Sequence, residues 1–211
     1  MQVIDLSHTL ETGMPVYPGT EPPTIDLAAT IGEQGYLERR LTLWSHTGTH
    51  LDAPAHVIPA GATLTGLDPG TFVGQAFCVD CTGLTGAEIG IDQVRAVADR
   101  LVGQAFCLLQ TGWSRLWGTS RYYRDYPFLS QEAARWLAHS GLRGVGIDAI
   151  SVDRIDSESL PAHRVLLGAG LVIVENLTNL AALPRSSFLF SCLPLKIASG
   201  DGSPVRAVAI L

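Results

Sequence analysis

H-T-G-T-H-L-D-A-P-A-H, residues 46–56, puts His46, His50, Asp52 and His56 on even-numbered positions. In an extended chain, residues two apart point to the same side. Gly48 and Pro54 share that register, and both can bend the backbone so that the side chains converge. On a straight strand His46 and His50 would lie about 13 Å apart, so they share an ion only if the chain turns near Gly48. A helix is disfavoured, because Thr47, Gly48 and Thr49 are poor helix formers and Pro54 blocks continuation. A histidine-rich surface strand is the plainer alternative. Three of the chain's six histidines fall here with a carboxylate between them and no lysine nearby. The segment therefore reads as a metal-ligand set with a titratable group left over for proton transfer.

Upstream, residues 37–45 alternate and lead into this segment, with Leu41 and Leu43 on one face and Thr42 and Trp44 on the other. Residues 3–6 read as a first strand, followed by the proline-rich loop M-P-V-Y-P-G-T-E-P-P, whose Tyr17 can line a pocket or cover the core. Downstream, 72–80 and 105–111 read as strands and 92–102 as a helix. Residues 113–126 carry two Trp, three Tyr and three Arg without periodicity, a long loop of the kind that is often functional. Residues 130–139 form the clearest helix, capped by Ser130 and ended by Gly141. Strands are expected at 145–148, 171–175, 188–192, 195–197 and 205–211, the last two joined by a G-D-G-S hairpin. The pattern is a mixed α/β domain with several antiparallel pairs, and no boundary interrupts residues 1–211.

A chain of 211 residues with 46% hydrophobic and 16% charged residues can bury a substantial core. A net charge of −6 with no basic run argues against a nucleic-acid partner. The longest apolar stretch, 165–174, is too short to span a bilayer. The opening M-Q-V-I-D-L-S-H has neither a basic nor an apolar signal region, so a cytoplasmic location is expected. Cys78 and Cys81 form a C-x-x-C, but a zinc knuckle needs a second one. Buried free thiols are the better reading.

The segment G-V-G-I-D-A, 144–149, matches a dinucleotide fingerprint in letters only, since no helical pattern follows it. No G-x-S-x-G occurs, so a serine nucleophile on an elbow has no candidate. In L-P-A-H-R-V-L-L-G-A-G-L-V-I-V-E-N-L, His163 opens an apolar stretch and Glu175 closes a β-branched strand. On position alone a carboxylate there suits a solvated strand terminus slightly better than a site at the strand end, and the first cluster's need for more carboxylate moves the site reading ahead. Together with the first cluster it balances a pair of divalent ions.

These residues resemble the H-x-G-T-H-x-D-x-P-x-H signature of the metal-dependent cyclase-type hydrolases, the superfamily that includes bacterial kynurenine formamidase. D-L-S-H, V-Y-P-G, L-Q-T-G-W, G-I-D and H…G-A-G…V-E-N-L follow in the expected order, so the resemblance covers most of the chain. It implies a swivelling β/β/α fold with a mixed, largely antiparallel sheet, usually dimeric or larger. It implies two divalent ions, zinc or manganese: His46 and His50 on one, His163 on the other, Asp52 and Glu175 bridging. His56 would be the uncoordinated acid/base and Tyr17 the substrate-lining aromatic, where the formamidases typically carry Trp. The activity implied is hydrolysis of N-formyl-L-kynurenine, a small-molecule amide, by water activated on the ions. Opening of isatin or another cyclic amide or ester is the alternative. Hard carboxylates with imidazoles and no thiolate suit such ions.

Overall fold

The computed structural model describes residues 1–84 and 88–211. In chain order the strands are β1 (Val3–Asp5), β2 (Thr24–Ala29), β3 (Glu38–Thr42), β4 (His50–Asp52), β5 (Val73–Asp80), β6 (Glu88–Ile89), β7 (Phe106–Gln110), β8 (Phe128–Leu129), β9 (Gly144–Ile147), β10 (Val172–Glu175), β11 (Phe188–Ser191), β12 (Gly202–Pro204) and β13 (Val208–Ile210). The helices are α1 (Ile31–Gln34), α2 (Ile91–Arg95), α3 (Ala98–Leu101), α4 (Gln131–Ala138) and α5 (Pro161–Gly168). Nine strands form one sheet in the order β1-β13-β11-β5-β7-β9-β10-β4-β12. Its centre, β5-β7-β9-β10, is parallel, and both flanks are antiparallel. This is the mixed α/β sheet expected, with most pairings antiparallel.

The parallel centre explains the unbroken apolar runs, because strands covered on both faces need apolar side chains in both directions. Along β7, Cys107 and Leu109 join the core under α4 and α5, while Phe106 and Leu108 point into the opposite core with Leu51, Phe72 and Phe190. Gly144 and Gly146 lie within β9, where a Cβ would collide with Phe106 and Leu108. Those glycines serve close packing, and no phosphate loop follows them. Ser130 caps α4 by accepting from the Ala133 N–H, as expected. The four cysteines are free and buried, and burial pushes the Cys78 and Cys81 thiols up to about 12.

Several expectations are corrected. The helix expected over 92–102 is two short ones, because Val97 leaves helical geometry at φ −118° and ψ 16°. The aromatic loop 113–126 folds into two 3-10 turns and fills the core with Trp113, Tyr122 and Tyr126. Residues 195–197 form no strand, and Leu195 is exposed. The G-D-G-S segment makes no hairpin. Gly202 and Ser203 instead belong to β12, which pairs with β4 at the sheet edge, where Pro204 is tolerated. Among the described residues β3 pairs with β2 alone, in a separate two-stranded ribbon, and Leu41 is exposed. No helix among the described residues is long and apolar enough to cross a membrane.

Candidate metal centre

Strand β4 is the hub. Glu175 of β10 faces His50 across it on one side, and Gly202 of β12 faces Asp52 on the other. His50 and Asp52 are two residues apart and share a face. The remaining histidines of the segment come from bends. Gly48 takes φ +67°, and a Cβ there would sit 2.8 Å from Leu10 Cδ2. That turn brings His46 round to Asp52, with Nδ1 2.6 Å from Oδ1. Pro54 starts a 3-10 turn, Pro54–His56, that lifts His56 beside His46 with ring centroids 4.0 Å apart.

His163 arrives on α5, where the sequence pattern shows only the start of an apolar stretch. Pro161 occupies the first helical position, where its missing N–H costs nothing. Asp153, buried and unanticipated, fixes this helix end. Its carboxylate accepts the Ala162 and His163 backbone N–H groups at 2.9 Å and the His163 Nδ1–H at 2.7 Å. His163 Nε2 is thereby turned toward Glu175 Oε1 at 3.3 Å and Asp52 Oδ2 at 3.6 Å. His50 follows the same plan: Nδ1–H donates to the Gly48 carbonyl at 2.8 Å, and Nε2 faces Asp52 Oδ1 at 3.3 Å and Glu175 Oε2 at 3.6 Å. Each buried carboxylate thus offers one oxygen to His50 and the other to His163.

The donor set fits divalent cations. Outer acceptors on Nδ1 are the usual device for orienting a ligating imidazole. Asp52 Oδ2 is buried with no hydrogen-bond partner. An orphaned buried acceptor costs about 1–3 kcal/mol, more when charged, and a cation would satisfy it. Burial acts to raise the Asp52 pKa, yet the surrounding His50, His163 and His46 outweigh it and hold the carboxyl well below its usual range. His46 lies between two carboxylates. Burial would lower its pKa, but Asp52 and Asp201 raise it to about 9. Burial likewise opposes charge on His163, and Asp153, Asp52 and Glu175 override it and hold its pKa well above the ordinary value.

His56 stands at the rim of the group. His46, Asp52 and His56 can bring ligand atoms within 4.8 Å of one another, as can His50, Asp52 and Glu175. Burial holds the His56 pKa below its ordinary value; Asp52 opposes this, and His46 and His163 reinforce it. Asp201, from the segment expected to be a plain turn, accepts from His46 Nε2 at 2.8 Å and lies 3.6 Å from His56 Nδ1. Asn176, at φ +56°, donates to the Gly48 carbonyl and accepts from the Tyr122 hydroxyl. A cavity of about 330 Å³ opens over the cluster, lined also by Pro15, Val16, Tyr17, Ile150, Glu158 and Leu160. Tyr17 lines it, its hydroxyl donating to the Ile155 carbonyl at 2.9 Å.

A helix-covered mixed sheet whose strand ends share two carboxylates between two imidazoles defines an α/β protein of the metal-dependent hydrolase type. More narrowly, the chain belongs to the Cyclase family, described as "Putative cyclase", whose model matches residues 4–154. It is 33% identical over 207 residues to a kynurenine formamidase of Bacillus cytotoxicus, an alignment covering 97% of this chain and 95% of that one. Among solved structures it is similar to isatin hydrolase A of Labrenzia aggregata bound to benzyl benzoate, with 27% identity, a TM-score of 0.89, and 99% and 93% of the two chains covered. A predicted metal-dependent hydrolase of Bacillus stearothermophilus is 31% identical with a TM-score of 0.82, covering 99% of this chain and 97% of that one.

Proposed function

We propose that this protein is a metal-dependent amidohydrolase that removes the formyl group from an aryl amide, with N-formyl-L-kynurenine as substrate and L-kynurenine and formate as products. The observation that carries the reading is the pair of buried carboxylates, Asp52 and Glu175, each split between His50 and His163. The likeness to kynurenine formamidase over almost the whole length supports the substrate. His46, His50, Asp52, His163 and Glu175 would hold two divalent ions, zinc or manganese. Ions held there would bring the pKa of a water to about 7 and polarise the formyl carbonyl.

The protein's own residues supply orientation and proton handling. Asp153 and the Gly48 carbonyl fix the ring nitrogens of His163 and His50. His56, held toward its neutral form, accepts a proton from the attacking water and returns it to the leaving arylamine nitrogen. Tyr17 provides the aromatic wall for the ring. The whole chain, 1–211, acts as one catalytic domain, and the ribbon of β2 and β3 is the surface assigned to a second copy. Four unpaired thiols suit the reducing cytoplasm.

Ring opening of isatin or a related cyclic amide is the second reading, favoured by the TM-score of 0.89 to isatin hydrolase A. Steady-state turnover of N-formyl-L-kynurenine, isatin and a simple lactone by metal-loaded protein separates the two. The formamide is expected to have the highest kcat/KM, by tenfold or more on the scale of about 1.4 kcal/mol of discrimination. A preference for isatin would overturn the assignment.

A further inference from the structure

The cavity over the cluster contains no lysine or arginine, so the protein offers no fixed cation to a substrate there. It does offer a free anion. Glu158 lines the cavity and is exposed. The cations nearby on the chain are engaged elsewhere. Arg154 pairs with Asp156 at 2.8 Å, and Arg164 donates to the Ser159 and Val57 carbonyls. Among the described residues this leaves the Glu158 carboxylate without a partner.

The segment that carries Glu158 is tied on both sides. Asp153 anchors the start of α5 just beyond it. The Tyr17 hydroxyl ties the proline-rich loop to Ile155, three residues before it. Tyr17 and Glu158 thus line one cavity, together with the hydroxyl-bearing Ser157 and Thr20.

We propose that Glu158 is a specificity-determining residue that binds the ammonium group of an amino-acid side arm on the substrate. The inference rests on the formamidase reading and narrows it: the preferred substrates are aryl formamides that carry a cationic α-amino group remote from the bond cleaved. A neutral ring such as isatin has no group for this carboxylate to hold. The contact is remote from the reacting carbon and equally present before and during reaction, so it acts on KM rather than kcat.

The test compares two substrates on the metal-loaded protein. One is N-formyl-L-kynurenine; the other is its deaminated counterpart, 4-(2-formamidophenyl)-4-oxobutanoate, which keeps the ring, ketone and carboxylate. The wild-type protein is expected to prefer the amino acid. Glu158→Gln should lower the ratio of the two kcat/KM values about fivefold, the upper range for an exposed ion pair, through KM. Glu158→Lys should lower it further by placing like charges together. Wild-type turnover of both substrates without preference, or a preference that survives in both variants, overturns the role of Glu158 while the formamidase reading stands. Equal losses on both substrates overturn it as well, since they mark a structural effect. Turnover of neither substrate by the wild-type protein overturns the formamidase reading and this inference together.

Discussion

His56 and Asp52 are four residues apart, and the account gives them opposite duties. Asp52 is buried with both oxygens turned to imidazoles, whereas His56 sits at the rim beside the half-buried Asp201. His56→Ala is therefore expected to keep its metal and lose kcat by about 10²- to 10⁴-fold, the usual contribution of a positioned acid/base. Loss of metal from His56→Ala would assign it to the ligands instead. His8 supports a separate expectation. It stacks on Trp117 at 3.9 Å, its Nε2 is buried without a partner, and burial lowers its pKa to about 4. Below its ordinary value of 6.5 the unfolded chain takes up a proton that the folded one refuses, so stability is full above that pH and falls toward pH 4. His8→Phe keeps the stack and removes this loss. Measured on metal-stripped protein, its Tm should drop less than the wild type's between about pH 7.5 and pH 5. Equal drops would show that His8 titrates normally. At this scale the sequence is highly legible for ligands, because H-x-G-T-H-x-D and H…E carry their chemistry in residue type and spacing. It is silent on Asp153 and Asp201. Both reach the site only because α5 starts beside one and β12, which pairs with β4, begins just after the other, and neither contact follows from residue type or spacing.

Strands β5, β7, β9 and β10 and helix α4 can be read from periodicity, since burial on two faces or a capped amphipathic stripe stamps the sequence directly. Helix α5 was legible in retrospect: Pro161 is a helix-start signal, and Ala162 and Leu166 are four apart, but a continuous apolar run masks the period. Residues 195–197 show the opposite failure, because three exposed or half-exposed positions resemble a strand in composition while making none of its pairings. The ribbon is the most informative element. Cross-strand register puts Ile25 opposite Leu41, so Ile25, Leu27 and Leu41 share one face, and Leu27 and Leu41 are 54% and 58% exposed. A lone two-stranded ribbon is at best marginally stable in water. Burial of this face against a second copy would account for its composition. Light scattering should give a dimer or larger assembly for the wild type and a monomer for the Leu27→Lys, Leu41→Lys double variant. A wild-type monomer would remove the ribbon from that role.

Taken whole, the molecule is a frame that brings three distant parts of one chain to the end of β10. Residues 46–56 arrive on β4, His163 on α5, and Asp201 ahead of β12, which joins β4 at the sheet edge. In the proposed site Asp52 and Glu175 would hold two ions together with the three histidines. Metal analysis of protein reconstituted with zinc or manganese and then freed of excess by dialysis tests it most directly. Close to two ions per chain are expected in the wild-type protein and close to none in Asp52→Ala; a single ion, or none, in the reconstituted wild type would mean that the residues do not build a two-ion site.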